Sequence, residues 1–138
     1  MAVIIIVAAC ASKHTPQYNA AVVSNDFAHS LSTLQTEEYA LFQSGEIGAK
    51  AHAQFKMAAT EANKSGLQAD VLITQGDLNG ALNQLQFAFQ NLSNLPASAL
   101  GIKDPTSQAA YQAALSATLA VLQVTIQGVQ QQQKAGAK

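Results

Sequence analysis

Arginine and tryptophan are absent from this chain, and cysteine occurs once, at position 10. Without arginine, the basic residues are lysines alone: Lys13, Lys50, Lys56, Lys64, Lys103, Lys134 and Lys138. They are scattered, and the net charge is −1. Nucleic-acid binding needs a concentrated basic face, often with arginine to read phosphates or bases, so nucleic acid is not an expected partner. With only five Phe and three Tyr beside the missing Trp, a stacking platform for bases or sugars is not expected either. A lone cysteine cannot close a disulfide within the chain. Charged residues make up 11% of the sequence, against about a quarter in an ordinary domain. Three prolines and eight glycines are too few for a loop-rich or disordered protein.

What is present is apolar and helix-forming. Hydrophobic residues are 49% of the 138, enough for one domain with a core that needs no disulfide or metal staple. Alanine and glutamine fill the places that charge leaves, so the polar faces are neutral rather than ionic.

Residues Ala2 to Ala11 form an apolar run around Ile4-Ile5-Ile6. The run is far shorter than the ~20 residues that span a bilayer and has the length of a signal-peptide hydrophobic region. It ends in Val7-Ala8-Ala9-Cys10, which resembles the lipobox of bacterial lipoproteins: an aliphatic residue, two small residues, then the cysteine that receives lipid. The resemblance covers those four residues and no folded part of the chain. It implies lipid attachment at Cys10. Ala11 and Ser12 are not the acidic residues that retain lipoproteins at the inner membrane, so outer-membrane anchoring is the implied location, facing the periplasm or the surface. A signal normally opens with a basic segment, and only Met1 and Ala2 precede this run; a start further upstream is the expectation that follows. The alternative is an apolar segment, residues 1–12, packed on the folded domain with Cys10 as a small hydrophobe.

From residue 13 the sequence reads as four helices, at about 16–43, 46–75, 77–94 and 105–133. Thr15-Pro16 offers a cap and a first-turn proline. Val23, Phe27, Leu31, Leu34 and Leu41 follow at helical spacing, and Ser44-Gly45 ends that helix. The second helix is expected to begin at Glu46, an acid suited to a helix N-terminus. Phe55, Ala59, Ala62, Gly66, Ala69 and Ile73 keep one heptad register through Gly66. The break is therefore expected at Gly76-Asp77, a C-terminal glycine followed by a capping aspartate, and not at Gly66. Leu78, Leu82, Leu85, Phe89 and Leu92 line the third helix, which Leu95-Pro96 ends. Asp104-Pro105 opens the last, with Tyr111, Leu115, Leu119, Leu122, Ile126 and Val129 on its buried face. Gln130 onward is expected to fray, and 134–138 to form a flexible tail.

Seams near period 3.5 and short links at Gly45 and Gly76 predict an all-α, antiparallel up-down-up-down four-helix bundle over 13–133. A helical hairpin that completes its core in a dimer is the second architecture the pattern allows.

The sequence contains no G-x-S-x-G and no phosphate-binding glycine loop after a strand. Glu-x-x-His for a di-iron site and Cys-x-x-Cys-His for covalent haem are also missing. His29 or His52 with Met57 is the only pairing that resembles a haem ligand set, and no motif positions it, so no cofactor or metal is expected. Gly76-x-x-x-Gly80 has the spacing of a close helix contact, but Asp77 and Asn79 make it a cap region.

One constellation stands out. Glu38 interrupts the first helix's stripe between Leu34 and Leu41, and His52 interrupts the second's, three residues before Phe55. Both are seven residues from Gly45, so in an antiparallel hairpin they share a level, and Tyr111 falls near it. The layer reads either as a polar device that fixes register or as a small-ligand site or acid–base pair. The expected function is a non-enzymatic, lipid-anchored envelope protein acting as a structural or interaction module. Its partners would be the membrane through Cys10 and a protein or a second copy of itself. The alternatives are a subunit of a helical assembly, a surface fibre or phage-derived particle, and a small-ligand or cofactor carrier using the Glu38 layer.

Overall fold

A computed structural model describes residues 16–136, and every regular element among them is helical. The segment 1–12 with the lipobox-like residues, the Thr15 cap and residues 137–138 lie outside the described residues. Helix α1, Pro16–Ala21, passes into a π-helical turn, Val22–Phe27, and on into α2, Ala28–Gln43. Phe27 keeps helical backbone angles, so the three pieces form one continuous rod. Helices α3, Ala49–Gln75, α4, Leu78–Ser93, and α5, Pro105–Gly136, supply the other three rods. The rods pack in ring order: the first against α3, α3 against α4, α4 against α5, and α5 against the first. The four rods of one chain thus pack around a common core.

The core follows the stripes. Val23, Phe27, Leu31, Leu34 and Leu41 of the first rod are buried, as are Phe55, Ala59, Ala62, Gly66, Ala69 and Ile73 of α3. In α4 the innermost residues are Ala81, Leu85, Ala88 and Leu92, while Leu78, Leu82 and Phe89 pack from the flanks. The α4 leucine seam is therefore rotated off centre, and small alanines let the backbones approach. Helix α5 is long and apolar enough to cross a membrane; here Tyr111, Leu115, Leu122, Ile126 and Val129 of its stripe are buried in the bundle, while Leu119 packs from the flank.

Two glycines end helices in the same way. Gly45 and Gly76 both take φ +84°, a left-handed conformation that costs glycine nothing. Gly45 N–H donates to the Phe42 carbonyl and Glu46 N–H to the Leu41 carbonyl. Gly76 and Asp77 repeat this pair of bonds on Ile73 and Leu72, the Schellman pattern that satisfies the last free carbonyls. Asp77 then caps α4 by accepting from Gly80 N–H at 3.0 Å, so the expected break at Gly76-Asp77 is the one observed. A Cβ on Gly80 would lie 2.6 Å from Asp77 Oδ2, so the glycine belongs to the cap.

Two boundaries differ from the sequence expectation, and one turn differs in type. The second helix starts at Ala49, not Glu46, with extended Gly48 as its N-cap. The reason is Ile47, which is buried and closes one end of the core; three residues in non-helical backbone are needed to turn it inward. Glu46 instead accepts a bond from Ser44 Oγ. The last helix continues to Gly136, past the expected end at 133, so residues 134–136 are helical rather than tail. The π-helical turn in the first rod was not foreseen. It adds one residue per turn locally, which places both Val22 and Val23 in the core.

The connection between α4 and α5 is also part of the core. Ala97, Leu100 and Ile102 are buried and close the same end as Ile47. Three side chains from the opening turns of α5 hold this loop. Gln108 Nε2 donates to the Ile102 carbonyl at 2.6 Å, Gln112 Oε1 accepts from Ala97 N–H at 3.2 Å, and Tyr111 Oη donates to the Leu95 carbonyl at 2.8 Å. Asp104 caps α5 by accepting from Ser107 N–H at 2.9 Å.

Candidate functional site

Below that closed end, α2 and α3 bring Glu38 and His52 together. His52 Nδ1 lies 2.7 Å from Glu38 Oε1. The Schellman turn at Gly45 folds the chain back so that the two interruptions of the apolar stripes meet. An ionised carboxylate can only accept, so Nδ1 carries the proton in this bond. The imidazole is fixed a second way: its ring stacks on Phe42 with centroids 3.9 Å apart and planes within 5°. Tyr39 flanks the pair, tilted, 6.1 Å from the imidazole.

Glu38 is 1% exposed, the only carboxylate among the buried described residues. Burying such a charge is costly unless donors replace its water. His52 supplies one donor, to Oε1. Oε2 makes no hydrogen bond to any described residue. Nor is it sealed off, since Asn91 Nδ2 is the one enclosed side-chain polar atom without a partner among the described residues. Oε2 thus keeps a sliver of accessible surface, and Glu38 and His52 line a cleft of about 210 Å³ with Gln35, Tyr39, Phe55 and Lys56.

Tyr111 reaches this layer through its ring. Its ring packs edge-on to Phe55, centroids 6.3 Å apart, and its hydroxyl goes to the Leu95 carbonyl rather than to Glu38. Burial pushes the phenol well above the ordinary tyrosine range, and the negative charge of Glu38 pushes the same way. His29 and Met57, the other candidate ligands, are both exposed, and no group of three or more metal-ligating side chains occurs among the described residues. Cys10 lies outside them.

Residues that carried no signal in the sequence complete the picture. Phe42 looks like a stripe residue, and only the turn geometry lays it on His52. At the opposite end, buried Asn19 donates from Nδ2 to Gln132 Oε1 at 2.9 Å. Gly128 makes room for it, since a Cβ there would lie 2.5 Å from Asn19 Oδ1. Within the core Thr118 Oγ1 donates to the Ala114 carbonyl at 2.9 Å and approaches the Ser30 carbonyl at 3.2 Å.

Chemically, a carboxylate-oriented imidazole is two parts of a nucleophile-activating set. The third part is missing: among the described residues no hydroxyl or thiol lies at hydrogen-bond distance from His52. The chain matches no family model, no curated protein and no solved structure.

Proposed function

We propose that this chain is a non-enzymatic, lipid-anchored envelope protein whose antiparallel up-down-up-down bundle serves as a structural or interaction module. The observation that carries the anchor is Val7-Ala8-Ala9-Cys10, which places the only cysteine at the end of the nine apolar residues from Ala2. Paired residues support the antiparallel order, because one number rises as the other falls. Asn19 meets Gln132 and Ser30 meets Thr118; Phe27 faces Gly66 and Glu38 meets His52; Asn79 meets Gln133 and Leu95 meets Tyr111.

Only five residues separate Cys10 from Pro16. The anchored end is then the one with Asn19, Gly76 and Gln132. Glu38, on the same rod 22 residues beyond Pro16, stands roughly 30 Å further out at 1.5 Å per residue. The outer-membrane location follows from Ala11 and Ser12 after the cysteine.

The test is detergent phase partition of the protein expressed in a bacterium, with mass measurement of its N-terminal peptide. The native chain is expected in the detergent phase with an acylated Cys10 at its N-terminus, and Cys10→Ser is expected in the aqueous phase. A native protein that stays aqueous and retains Met1 would overturn the reading.

A further inference from the structure

We propose that the cleft between α2 and α3 binds a small organic ammonium ion, held by Glu38 Oε2 and seated against Phe55 and Tyr39. Three observations converge on that class of ligand, and a fourth limits its charge.

The first is the open oxygen. Glu38 is almost wholly withdrawn from water, yet His52 satisfies only Oε1. Glu38 lines a cleft with space far above the roughly 10–15 Å³ that admits one water, and Oε2, unbonded and not fully enclosed, is its oxygen left for a ligand. A carboxylate so placed gains from any donor that replaces the missing hydration, and gains most from a charged one. The second is the sign of the site. An ionised carboxylate offers no proton, so a ligand must donate, which selects ammonium over carboxylate or phosphate. Because one oxygen is already taken, a two-pronged guanidinium finds only half its match, whereas an ammonium needs a single oxygen.

The third is the lining. Phe55 is buried at the floor of the cleft and Tyr39 is half exposed on its wall, so the floor is apolar and the one ring face open to a cation is that of Tyr39. The stacking of His52 on Phe42 holds the imidazole, and with it the carboxylate, before a ligand arrives. The fourth is Lys56, exposed and lining the same cleft. Its charge is set against a second cation, so a monoamine is preferred to a diamine of equal length.

The experiment titrates pentylamine, pentanoate and 1,5-diaminopentane into the ¹⁵N-labelled full chain and follows amide shifts. Pentylamine is expected to give saturable shifts centred on residues 35–39 and 52–60. Pentanoate is expected to give none, and the diamine to bind at least threefold more weakly. Glu38→Gln keeps the shape and an acceptor for His52 but removes the charge, and is expected to weaken pentylamine at least tenfold. Lys56→Gln is expected to bring the diamine level with the monoamine. Should Glu38→Gln fail to fold, Tyr39→Ala on the half-exposed wall carries the test, with an expected loss of severalfold. The proposal is overturned if pentylamine gives no saturable shifts, if pentanoate binds as well, or if affinity survives in whichever of the two variants folds. None of these outcomes depends on whether Cys10 is lipidated.

Discussion

Tyr111 shows how one side chain serves two structures. Its ring belongs to the core layer of Phe55 and Glu38, while its hydroxyl pins the α4–α5 loop through the Leu95 carbonyl. Only a neutral phenol can do both, and burial together with the nearby Glu38 charge keeps it neutral far into alkali. The folded phenol holds its proton more tightly than the unfolded one. Its stabilising contribution is therefore complete below about pH 10, the unfolded value, and is lost as pH climbs above it. Denaturant unfolding between about pH 8 and about pH 11 should show stability falling across the upper part of that range. Tyr111→Phe should flatten that fall and should cost about 1 kcal/mol near neutrality, because the Leu95 carbonyl loses its donor. Identical pH slopes for the two proteins would refute this account. The meeting of Glu38 and His52 was legible in the sequence because both break an apolar stripe at equal distance from a glycine turn. The partner of the Tyr111 hydroxyl was not, because it depends on a loop whose buried Leu100 and Ile102 have no periodicity to reveal them.

Among the elements, α3 carries the sharpest contrast. Gly66 lies in mid-helix, where alanine would ordinarily gain about 1 kcal/mol. Here a Cβ would come within 2.8 and 3.0 Å of the Phe27 ring, itself 1% exposed with nowhere to move. Overpacking of that kind costs about 1–3 kcal/mol. Gly66→Ala is therefore expected to be net destabilising, by about 1 kcal/mol, with helix content unchanged on circular dichroism. Asp77→Ala should lose about 1 kcal/mol by a different route, freeing the Gly80 N–H at the start of α4. A stabilised Gly66→Ala protein would show that the first rod can slide away from α3. The register through Gly66 and the break at Gly76-Asp77 were legible because heptad spacing and cap chemistry agree there. The start of α3 was misread because Glu46 suits a helix N-terminus locally, while burying Ile47 requires three more residues outside the helix. The π-helical turn leaves no sequence mark: Val22-Val23 fits an ordinary helix as well, and only packing against both α3 and α5 selects the wider turn.

Taken as a whole, the bundle has two unlike ends. One is closed by Ile47, Ala97, Leu100 and Ile102 and tied by Gln108, Tyr111 and Gln112. The other is held across its rods by Asn19 with Gln132 and by the exposed Asn79–Gln133 bond. Local opening should begin where buried apolar contacts are fewest. Hydrogen exchange is expected to be fastest in Pro16–Ala21 and in α5 beyond Gln130, and slowest in α5 between Tyr111 and Leu122. Uniform exchange along α5 would contradict this polarity. The closed end also decides how the molecule bears mechanical load. A pull on the N-terminal segment enters at the weakly tied end and peels α1 outward a turn at a time, up to the π-helical turn where Phe27 is wedged against Gly66. The layer of Glu38 and His52 lies beyond that wedge, so tension at the N-terminus would be taken up by the first two turns of helix before it reached the cleft.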